Sequence, residues 1–308
     1  MNILITGCLG HIGSSLIKHF PLIRPDLNIF GIDNLSTQRY CSLFNLPKKN
    51  FYFIEADVRK YNFSELLSSI DVVIHLAAIT DASSSFDKVK EVEENNFKST
   101  QIIAEACSRS LTPLIFVSST SVYGSQRDVV DENCDIAHLN PQSPYAETKI
   151  KEEKFLKSLS ENSGSKITCC RFGTIFGVSN GMRFHTAVNK FCWQAAYGQK
   201  LTVWKTAYKQ VRPYLSLLDA TRVFDHIISK NLFQGYQLYN VVTGNFTVEK
   251  IIETVKSYFK KAEIEFVDSK IMNQLSYKVL SQKIINTGFH YKGSLSESVH
   301  ETYNLLIN

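Results

Sequence analysis

Short apolar runs alternate with longer amphipathic segments through the first two thirds of the chain. Five such runs lie at residues 2–5, 28–33, 51–58, 71–78 and 114–119. Runs that are apolar on both faces are typical of strands buried within a parallel sheet. Amphipathic segments between them, such as residues 12–20 and 89–109, are typical of helices. The alternation predicts an α/β fold, a doubly wound parallel sheet of the Rossmann kind.

Three glycines, Gly7, Gly10 and Gly13, separate the first strand from the first helix. A tight turn there directs backbone N–H groups and the positive end of the helix dipole to one point, which suits a pyrophosphate. Gly7 would permit the sharp turn, Gly10 the close approach of a ligand, and Gly13 tight packing of the helix on the strand. The alternative is a turn that is rich in glycine by chance, since the motif alone gives false positives.

Acidic and small residues stand where the later strands end. Asp33 lies 20 residues after Gly13. A carboxylate there would accept hydrogen bonds from ribose hydroxyls and repel a 2′-phosphate, which favours NAD over NADP; a surface aspartate is the alternative. Asp57 would meet an adenine amino group, and the small Ala77 would let a flat cofactor approach the backbone. Because the carboxyl ends of parallel strands share one edge, these positions argue against the chance interpretation.

Tyr145 and Lys149 add chemistry to this edge. They lie four residues apart on one face of a helix that begins at Pro144. A free tyrosine has a pKa of about 10, and a nearby ammonium and an oxidised nicotinamide both favour its phenolate. Ser119, at the end of the fifth strand, would hold a substrate oxygen beside it. The Tyr-x-x-x-Lys spacing alone is common on surface helices, but after a dinucleotide fold it predicts a catalytic Ser119, Tyr145 and Lys149.

Composition narrows the class of protein. The 308 residues are 44% hydrophobic and 20% charged, which indicates a globular fold with a sizeable core. The net charge of +5 suits an anionic small molecule and is too diffuse to favour nucleic acid. Seven irregularly spaced cysteines without a CxxC pair disfavour a metal site or a disulfide framework. No signal peptide or membrane span is recognised, so we expect no membrane association and a cytoplasmic location.

The pattern changes near residue 178. Helices are predicted over residues 182–197, 217–231, 248–261 and 295–306, and strands over residues 200–205, 236–242 and 263–267. The polar residues 158–166 predict a surface loop. We expect residues 1–177 to form the NAD-binding domain and residues 178–308 mainly a smaller α+β substrate lobe, with segments around residues 211–242 returning to the first domain.

Several motifs together resemble the extended branch of the short-chain dehydrogenase/reductase family, the nucleotide-sugar epimerases and dehydratases. These motifs are the glycine turn, Asp33-Asn34-Leu35, Asp57-Val58, His75-Leu76-Ala77-Ala78, residues 96–100, the Ser119, Tyr145 and Lys149 set, residues 171–177, Val211-Arg212-Pro213-Tyr214 and Tyr239-Asn240-Val241. The resemblance implies that Tyr145 is the base and that Lys149 binds the nicotinamide ribose and lowers the tyrosine pKa. It also implies that Ser119 binds a sugar hydroxyl.

The resemblance further implies a nucleotide-diphosphate sugar as substrate, whose diphosphate Arg212 would bind, and a homodimer. The expected NAD-binding residues are Gly7, Gly10, His11, Ile12, Gly13, Asp33, Asn34, Asp57, Val58, Leu76, Ala77, Ala78, Ser118, Tyr145 and Lys149. The expected substrate-binding residues are Thr80, Ser121, Thr174, Arg183 and Arg212.

Departures from the family pattern bear on the reaction. Thr120 and Ser121 stand where the dehydratases carry an acidic pair, and neither can act as a carboxylate acid or base, which disfavours a 4,6-dehydratase. Thr174 and Pro213 replace a common asparagine and an acidic residue, so the pattern does not determine which sugar is bound. The leading hypothesis is an NAD-dependent nucleotide-sugar epimerase acting at C4 through a transient keto sugar. The alternatives are a nucleotide-linked keto-sugar reductase or dehydrogenase, and a non-catalytic NAD-binding regulator.

Overall fold

The computed structural model describes residues 1–46, 49–81, 84–124, 129–268 and 276–307. Its strands are β1 (Asn2–Thr6), β2 (Asn28–Asp33), β3 (Phe51–Glu55), β4 (Val72–His75), β5 (Leu114–Ser119), β6 (Val129–Val130), β7 (Ile167–Phe172), β8 (Thr174–Phe176), β9 (Leu201–Trp204), β10 (Val211–Ser216), β11 (Tyr236–Val241), β12 (Gly244–Thr247), β13 (Ile264–Val267) and β14 (Lys278–Val279). Its helices are α1 (His11–Ile23), α2 (Ser64–Leu67), α3 (Val89–Ser110), α4 (Pro144–Ser163), α5 (Ala187–Ala196), α6 (Leu217–Ser229), α7 (Val248–Tyr258), α8 (Gln282–Ile285) and α9 (Leu295–Ile307).

Within these ranges, seven strands form one parallel sheet in the order β3-β2-β1-β4-β5-β7-β11. The strand order reverses between β1 and β4, where Thr6 pairs with His75. Such a reversal opens a crevice at the carboxyl ends of the strands, which is where sheets of this kind bind ligands. The sheet confirms the predicted α/β class and places the glycine turn at the crevice.

Helices cover both faces of this sheet. On one face, Leu16 and Phe20 of α1 share a buried cluster with Val223 and Phe224 of α6. On the other face, α3 and α4 cover the sheet with buried side chains such as Ile103 and Leu156. Burial of each such side chain contributes roughly 1.5–3 kcal/mol, so both helix layers are firmly held.

Smaller sheets follow in the C-terminal third. β10 pairs in parallel with β8 and antiparallel with β12, and β9 pairs with β13. Helices α5, α7 and α9 share one buried cluster with these strands. Of the residues around 211–242, β11 joins the large sheet and α6 packs on it, whereas β10 lies in the three-stranded sheet. The boundary at residue 177 itself stays a prediction.

Several predicted element boundaries differ from the structure by up to three residues, and two differ by more. Helix α5 begins at Ala187 rather than at residue 182, and residues before it make other contacts: Arg183 donates to Thr80, and Thr186 donates to Ile175 O at 3.4 Å. Helix α4 continues to Ser163 through the predicted surface loop and ends at Gly164, whose φ is 70°. Serine side chains in its last turns donate to backbone carbonyls, as Ser160 Oγ does to Ser165 O at 2.6 Å, so polar composition does not interrupt the helix.

The free thiols Cys8, Cys107, Cys169, Cys170 and Cys192 are buried. Across the described ranges, no helix has both the length and the apolar character needed to cross a membrane. The same ranges contain no cluster of three or more His, Cys, Asp or Glu side chains suited to a metal ion.

Candidate active site

Gly7 and Gly13 have the geometry that the sequence predicts. Gly7 has a φ of 68°, and a Cβ there would lie 2.7 Å from the Ala77 nitrogen. A Cβ on Gly13 would lie 2.5 Å from the Gly7 carbonyl oxygen. Both contacts are too close for a side chain, so the turn and the packing of α1 on it require glycine.

The start of α1 forms a cradle for an anion. The backbone N–H groups of His11, Ile12 and Gly13 have no acceptor within the helix because they belong to its first turn. Of the atoms in the described residues, a Cβ on Gly10 would have only Gly7 O, at 3.3 Å, and Arg39 Nη1, at 4.0 Å, near it. The open backbone and the helix dipole fit a cofactor pyrophosphate.

The His11 side chain serves another purpose. Its Nε2 donates to Gly177 O at 2.8 Å, and burial lowers the pKa of His11 to about 4. The imidazole is therefore neutral at pH 7 and faces the segment that follows β8. Of the predicted cofactor contacts at His11, only the backbone N–H is open to a pyrophosphate.

Asp33 is fixed at the end of β2 beside the glycine turn. Its Oδ2 accepts from the Leu9 nitrogen at 3.1 Å and its Oδ1 from the Leu35 nitrogen at 2.9 Å. A carboxylate has about four acceptor sites, so capacity remains for the two ribose hydroxyls of NAD. The adjacent Asn34 accepts from the Ser36 nitrogen at 3.1 Å, which orders the loop that leaves the strand.

Asp57, at the next strand end, is already paired. Arg59 donates to it from Nη2 at 2.5 Å and from Nε at 3.0 Å, and these hydrogen bonds lower the pKa of Asp57 to about 2. An adenine amino group would therefore share this carboxylate with Arg59. Val58 beside it is buried.

Residues after β4 complete this side of the crevice. The nitrogens of Leu76 and Ala77 donate to Thr6 Oγ1 at 3.2 and 3.4 Å, which holds the segment that leads to Ala78 against β1. Ser118 on β5 is buried, and its hydroxyl donates to Glu153 Oε1 at 2.5 Å. The Ser118 hydroxyl is thus engaged with Glu153, and any contact of Ser118 with the cofactor would be made by its backbone.

Helix α4 aims Tyr145 and Lys149 at the end of β5. Ser143 caps the helix, accepting from the Ala146 nitrogen at 3.2 Å. The Lys149 ammonium lies 5.8 Å from the centre of the Tyr145 ring, and both side chains are buried. Ser119 accepts from the Ser121 nitrogen at 3.1 Å, and its hydroxyl also hydrogen bonds to Tyr145. The predicted catalytic residues therefore meet at one point of the crevice.

The surroundings of Tyr145 shift its pKa in opposite directions. Burial raises the pKa of Tyr145 above its ordinary value, the charge of Lys149 opposes this, and the carboxylate of Glu152 adds to it. Lys149 does favour the phenolate, as expected, but it is not sufficient alone. A further positive charge is needed before Tyr145 is a base near neutral pH.

The predicted substrate residues form two groups. Arg183 donates through Nη1 to Thr80 Oγ1, and its charge acts on Tyr145. Thr174 and Arg212 lie instead on the adjacent strands β8 and β10, where Arg212 Nη2 donates to Gln210 Oε1 at 3.2 Å. The structure therefore places Arg183 beside the predicted catalytic residues and Arg212 in the three-stranded sheet.

The two hydroxyls in place of the acidic pair have different surroundings. Thr120 Oγ1 donates to Phe172 O at 3.2 Å and also hydrogen bonds to Tyr277, so it is engaged in the fold. Ser121 Oγ is buried, and among the described residues it has no hydrogen-bond partner. An unsatisfied buried hydroxyl is costly, so a substrate polar group would be stabilised there.

Sequence reasoning missed several residues near the site. Arg39 lies half-buried near Gly10 and Asp33, and Glu152 pairs with Lys149. Thr100, on α3, in turn donates to Glu152. Only Glu152 carried a usable signal, since a residue three positions after Lys149 shares its helix face.

Residues 3–241 match the model of the NAD dependent epimerase/dehydratase family. The chain belongs to this family. The match confirms the resemblance drawn from the motifs, and it confirms NAD as the cofactor on which the family depends. The glycine turn and Asp33 fit that cofactor.

Relatives of this chain include an uncharacterized UDP-glucose epimerase of Bacillus subtilis (strain 168). It is 29% identical over 279 residues, which cover 87% of this chain and 85% of that protein. A trifunctional UDP-glucose 4,6-dehydratase/UDP-4-keto-6-deoxy-D-glucose 3,5-epimerase/UDP-4-keto-L-rhamnose-reductase of Arabidopsis thaliana is 28% identical over 318 residues. That alignment covers 98% of this chain and 46% of the plant protein, so the chain spans about half of that relative's length.

A solved structure is similar over the full length. It is a tyrosine-to-phenylalanine variant of UDP-glucuronic acid 4-epimerase from Bacillus cereus, in complex with UDP-4-deoxy-4-fluoro-glucuronic acid and NAD. The TM-score is 0.91 at 26% identity, and 99% of each chain is covered. The comparison confirms the fold.

Proposed function

We propose that this protein is an NAD-dependent nucleotide-sugar epimerase that inverts C4 through a transient keto sugar. The supporting observation is the meeting of Ser119, Tyr145 and Lys149 beside the glycine turn, with hydroxyls rather than carboxylates at the two positions after Ser119. The set can move one proton to and from a sugar hydroxyl, and it offers no acid for the loss of water.

Each residue has a distinct task in this proposal. Ser119 orients the sugar hydroxyl, and Tyr145 removes its proton and later returns it. The charge of Lys149 favours the tyrosinate during this transfer. Bound NAD supplies the hydride acceptor and donor at the ring carbon. Inversion requires the keto sugar to present its other face before the hydride returns, so the product leaves with no net redox change.

The position of Arg183 favours an anionic group on the reacting sugar. Burial lowers the pKa of the Arg183 guanidinium, and so does the charge of Arg39, whereas Tyr145 and Asp81 raise it; an anion there would offset the cost that remains. Arg212, in the three-stranded sheet, is left to bind the diphosphate. Because the Bacillus cereus neighbour was solved with UDP-glucuronic acid, a nucleotide hexuronic acid is the first substrate to test.

A sugar panel tests the reaction. The purified protein, without added cofactor, is incubated with UDP-glucuronic acid, UDP-glucose, UDP-N-acetylglucosamine and dTDP-glucose, and the products are read by proton NMR. We expect a C4 epimer, with the uronic acid preferred over the neutral sugars. A 4-keto-6-deoxy product would instead indicate dehydration, and net consumption of reduced cofactor would indicate the keto-sugar reductase.

Replacement of the base tests the mechanism. In Tyr145→Phe, turnover should fall by about 10²-fold or more because the proton acceptor is lost, while bound NAD is retained. Tyr197→Phe is the control, since Tyr197 is exposed. Unchanged turnover in Tyr145→Phe would rule out the proposed base.

A further inference from the structure

Lys149 is not a lone cation. Its Nζ lies 3.0 Å from Oε2 of Glu152, one turn further along α4, and the two side chains are 3% and 1% exposed. The other carboxylate oxygen, Oε1, accepts from Thr100 Oγ1 at 2.6 Å. A carboxylate that is this deeply buried is tolerated because it has both an ammonium and a hydroxyl as partners.

The remaining groups around this pair add little charge of their own. On β4, His75 Nε2 lies 3.3 Å from Thr100 Oγ1, and burial lowers the pKa of His75 to about 3, so the ring is neutral. On β7, burial raises the pKa of Cys169 well above its ordinary value, so the thiol is protonated. On β5, the Phe116 ring centre lies 4.6 Å from Lys149 Nζ.

Among the described residues, the charges of Lys149 and Arg183 favour ionisation of the Tyr145 hydroxyl, and that of Glu152 opposes it. Glu152 also raises the pKa of Lys149, although burial acts in the other direction, and so keeps the ammonium charged. An ion pair exerts a weaker field on a third group than either charge does alone. The help that Lys149 gives to the tyrosinate is consequently reduced.

We propose that Glu152 is a positioning residue that offsets the charge of Lys149, so that Tyr145 ionises near neutral pH only when an oxidised nicotinamide adds a positive charge beside it. This rests on the proposed function, in which Tyr145 is the base. The same balance keeps the transferred proton on Tyr145 while the nicotinamide is reduced and neutral. The proton is then still present when the hydride returns to the sugar.

A titration that needs no turnover tests this. The ultraviolet absorbance of tyrosinate is followed against pH in the native protein and in Tyr145→Phe, each stripped of cofactor and each saturated with NAD⁺, and the difference isolates Tyr145. Without cofactor, no Tyr145 signal should appear below about pH 10. With NAD⁺, the signal should move down by about one pH unit or more. Ionisation of Tyr145 near neutral pH without cofactor would overturn the proposal.

Variants separate charge from packing. Glu152→Gln keeps the shape and removes the charge, so the cofactor-free Tyr145 signal should move down by about one pH unit. Glu152→Asp keeps the charge and should titrate close to the native protein. Glu147→Gln is the matched control, because Glu147 is an exposed carboxylate on the same helix. Equal shifts in the Gln and Asp variants, or none in either, would contradict the proposal.

The titration also separates this inference from the proposed function. If no sugar is epimerised but Tyr145 titrates as expected, the function fails and the role of Glu152 stands. If a sugar is epimerised and the Gln variant titrates like the native protein, the function stands and the role of Glu152 is wrong. Should the Gln variant not fold, ionisation of Tyr145 near neutral pH in the cofactor-free native protein would still overturn the proposal.

Discussion

Glu153 and Arg171 form a buried ion pair in which the guanidinium donates to the carboxylate from Nε at 3.0 Å and from Nη2 at 2.7 Å. Ser118 donates to the same carboxylate, so one side chain of α4 fixes the helix to β5 and β7. Ser119 follows directly, and Tyr145 lies two turns earlier on the helix. The ion pair thus sets the spacing between Ser119 and Tyr145.

Loss of this carboxylate should destabilise the fold. In Glu153→Gln the Arg171 charge is left buried without its counter-ion, which costs about 3–5 kcal/mol. Urea unfolding at pH 7 measures the loss. In the control, Glu161→Gln, the exposed pair with Lys157 is removed, and the cost should stay below about 1 kcal/mol. Similar losses in the two variants would contradict the structural role of Glu153.

Stability should fall with acid because of His75. Its ring, hydrogen bonded to Thr6 Oγ1 at 2.7 Å, is kept neutral, since burial lowers its pKa to about 3. Below the unfolded pKa of about 6.5 the unfolded chain takes up a proton that the folded protein does not. The contribution of His75 to the free energy of unfolding is therefore fully present above that pH, and it decreases as the pH falls toward 3. Between pH 7 and 5 the loss from His75 is about 2 kcal/mol.

Unfolding measured at both pH values checks this. His75→Gln keeps a polar side chain and removes the titration, so its loss between pH 7 and 5 should be smaller by about that amount. His11, with a pKa lowered to about 4 by burial, contributes in the same direction and remains in the variant. The exposed His290 serves as a control when changed to glutamine. An identical pH dependence in native protein and His75→Gln would refute the assignment.

Asp33 should determine the choice of cofactor. In Asp33→Asn the negative charge that repels a 2′-phosphate is gone, and one of the two acceptors bonded to Leu9 and Leu35 becomes a donor. We expect NAD binding to weaken by about 1–3 kcal/mol and the preference over NADP to shrink by about tenfold. Calorimetric titration with both cofactors measures this. Asp26→Asn, at an exposed position, should leave the ratio unchanged, and an unchanged ratio in Asp33→Asn would count against the role.

The sheet was predictable because its strands are continuous apolar runs bounded by turns. β5 has the predicted bounds, and the glycine spacing located the tight turn between β1 and α1. The start of α5 was not predictable, because Arg183, which lies just before it, contacts Thr80 more than a hundred residues earlier in the chain. The end of α4 at Ser163 was not predictable either, because the polar composition of residues 158–166 is typical of a surface loop.

The residues of the candidate site also fall into two groups, those that sequence spacing predicts and those that only the fold brings together. Gly7, Asp33 and Tyr145 could be predicted as site residues because their spacing along the chain is typical of the proposed function. Arg39 and Thr100 were missed because their partners lie far away in sequence. The meeting of Arg183 with Thr80 depends on the fold alone, and the homodimer stays a prediction.

The contact between the glycine turn and the segment after β8 has a practical consequence. Ser179 Oγ donates to His11 O at 2.9 Å, and the Gly181 nitrogen donates to Ser14 Oγ at 2.9 Å. The stretch that leads to Arg183 is thus hydrogen bonded to the first turn of α1, next to the glycine turn. A chimera that takes its C-terminal third from a relative, in order to change the sugar preference, should have its junction after Gly181. The contacts of Ser179 and Gly181 with α1 are then kept.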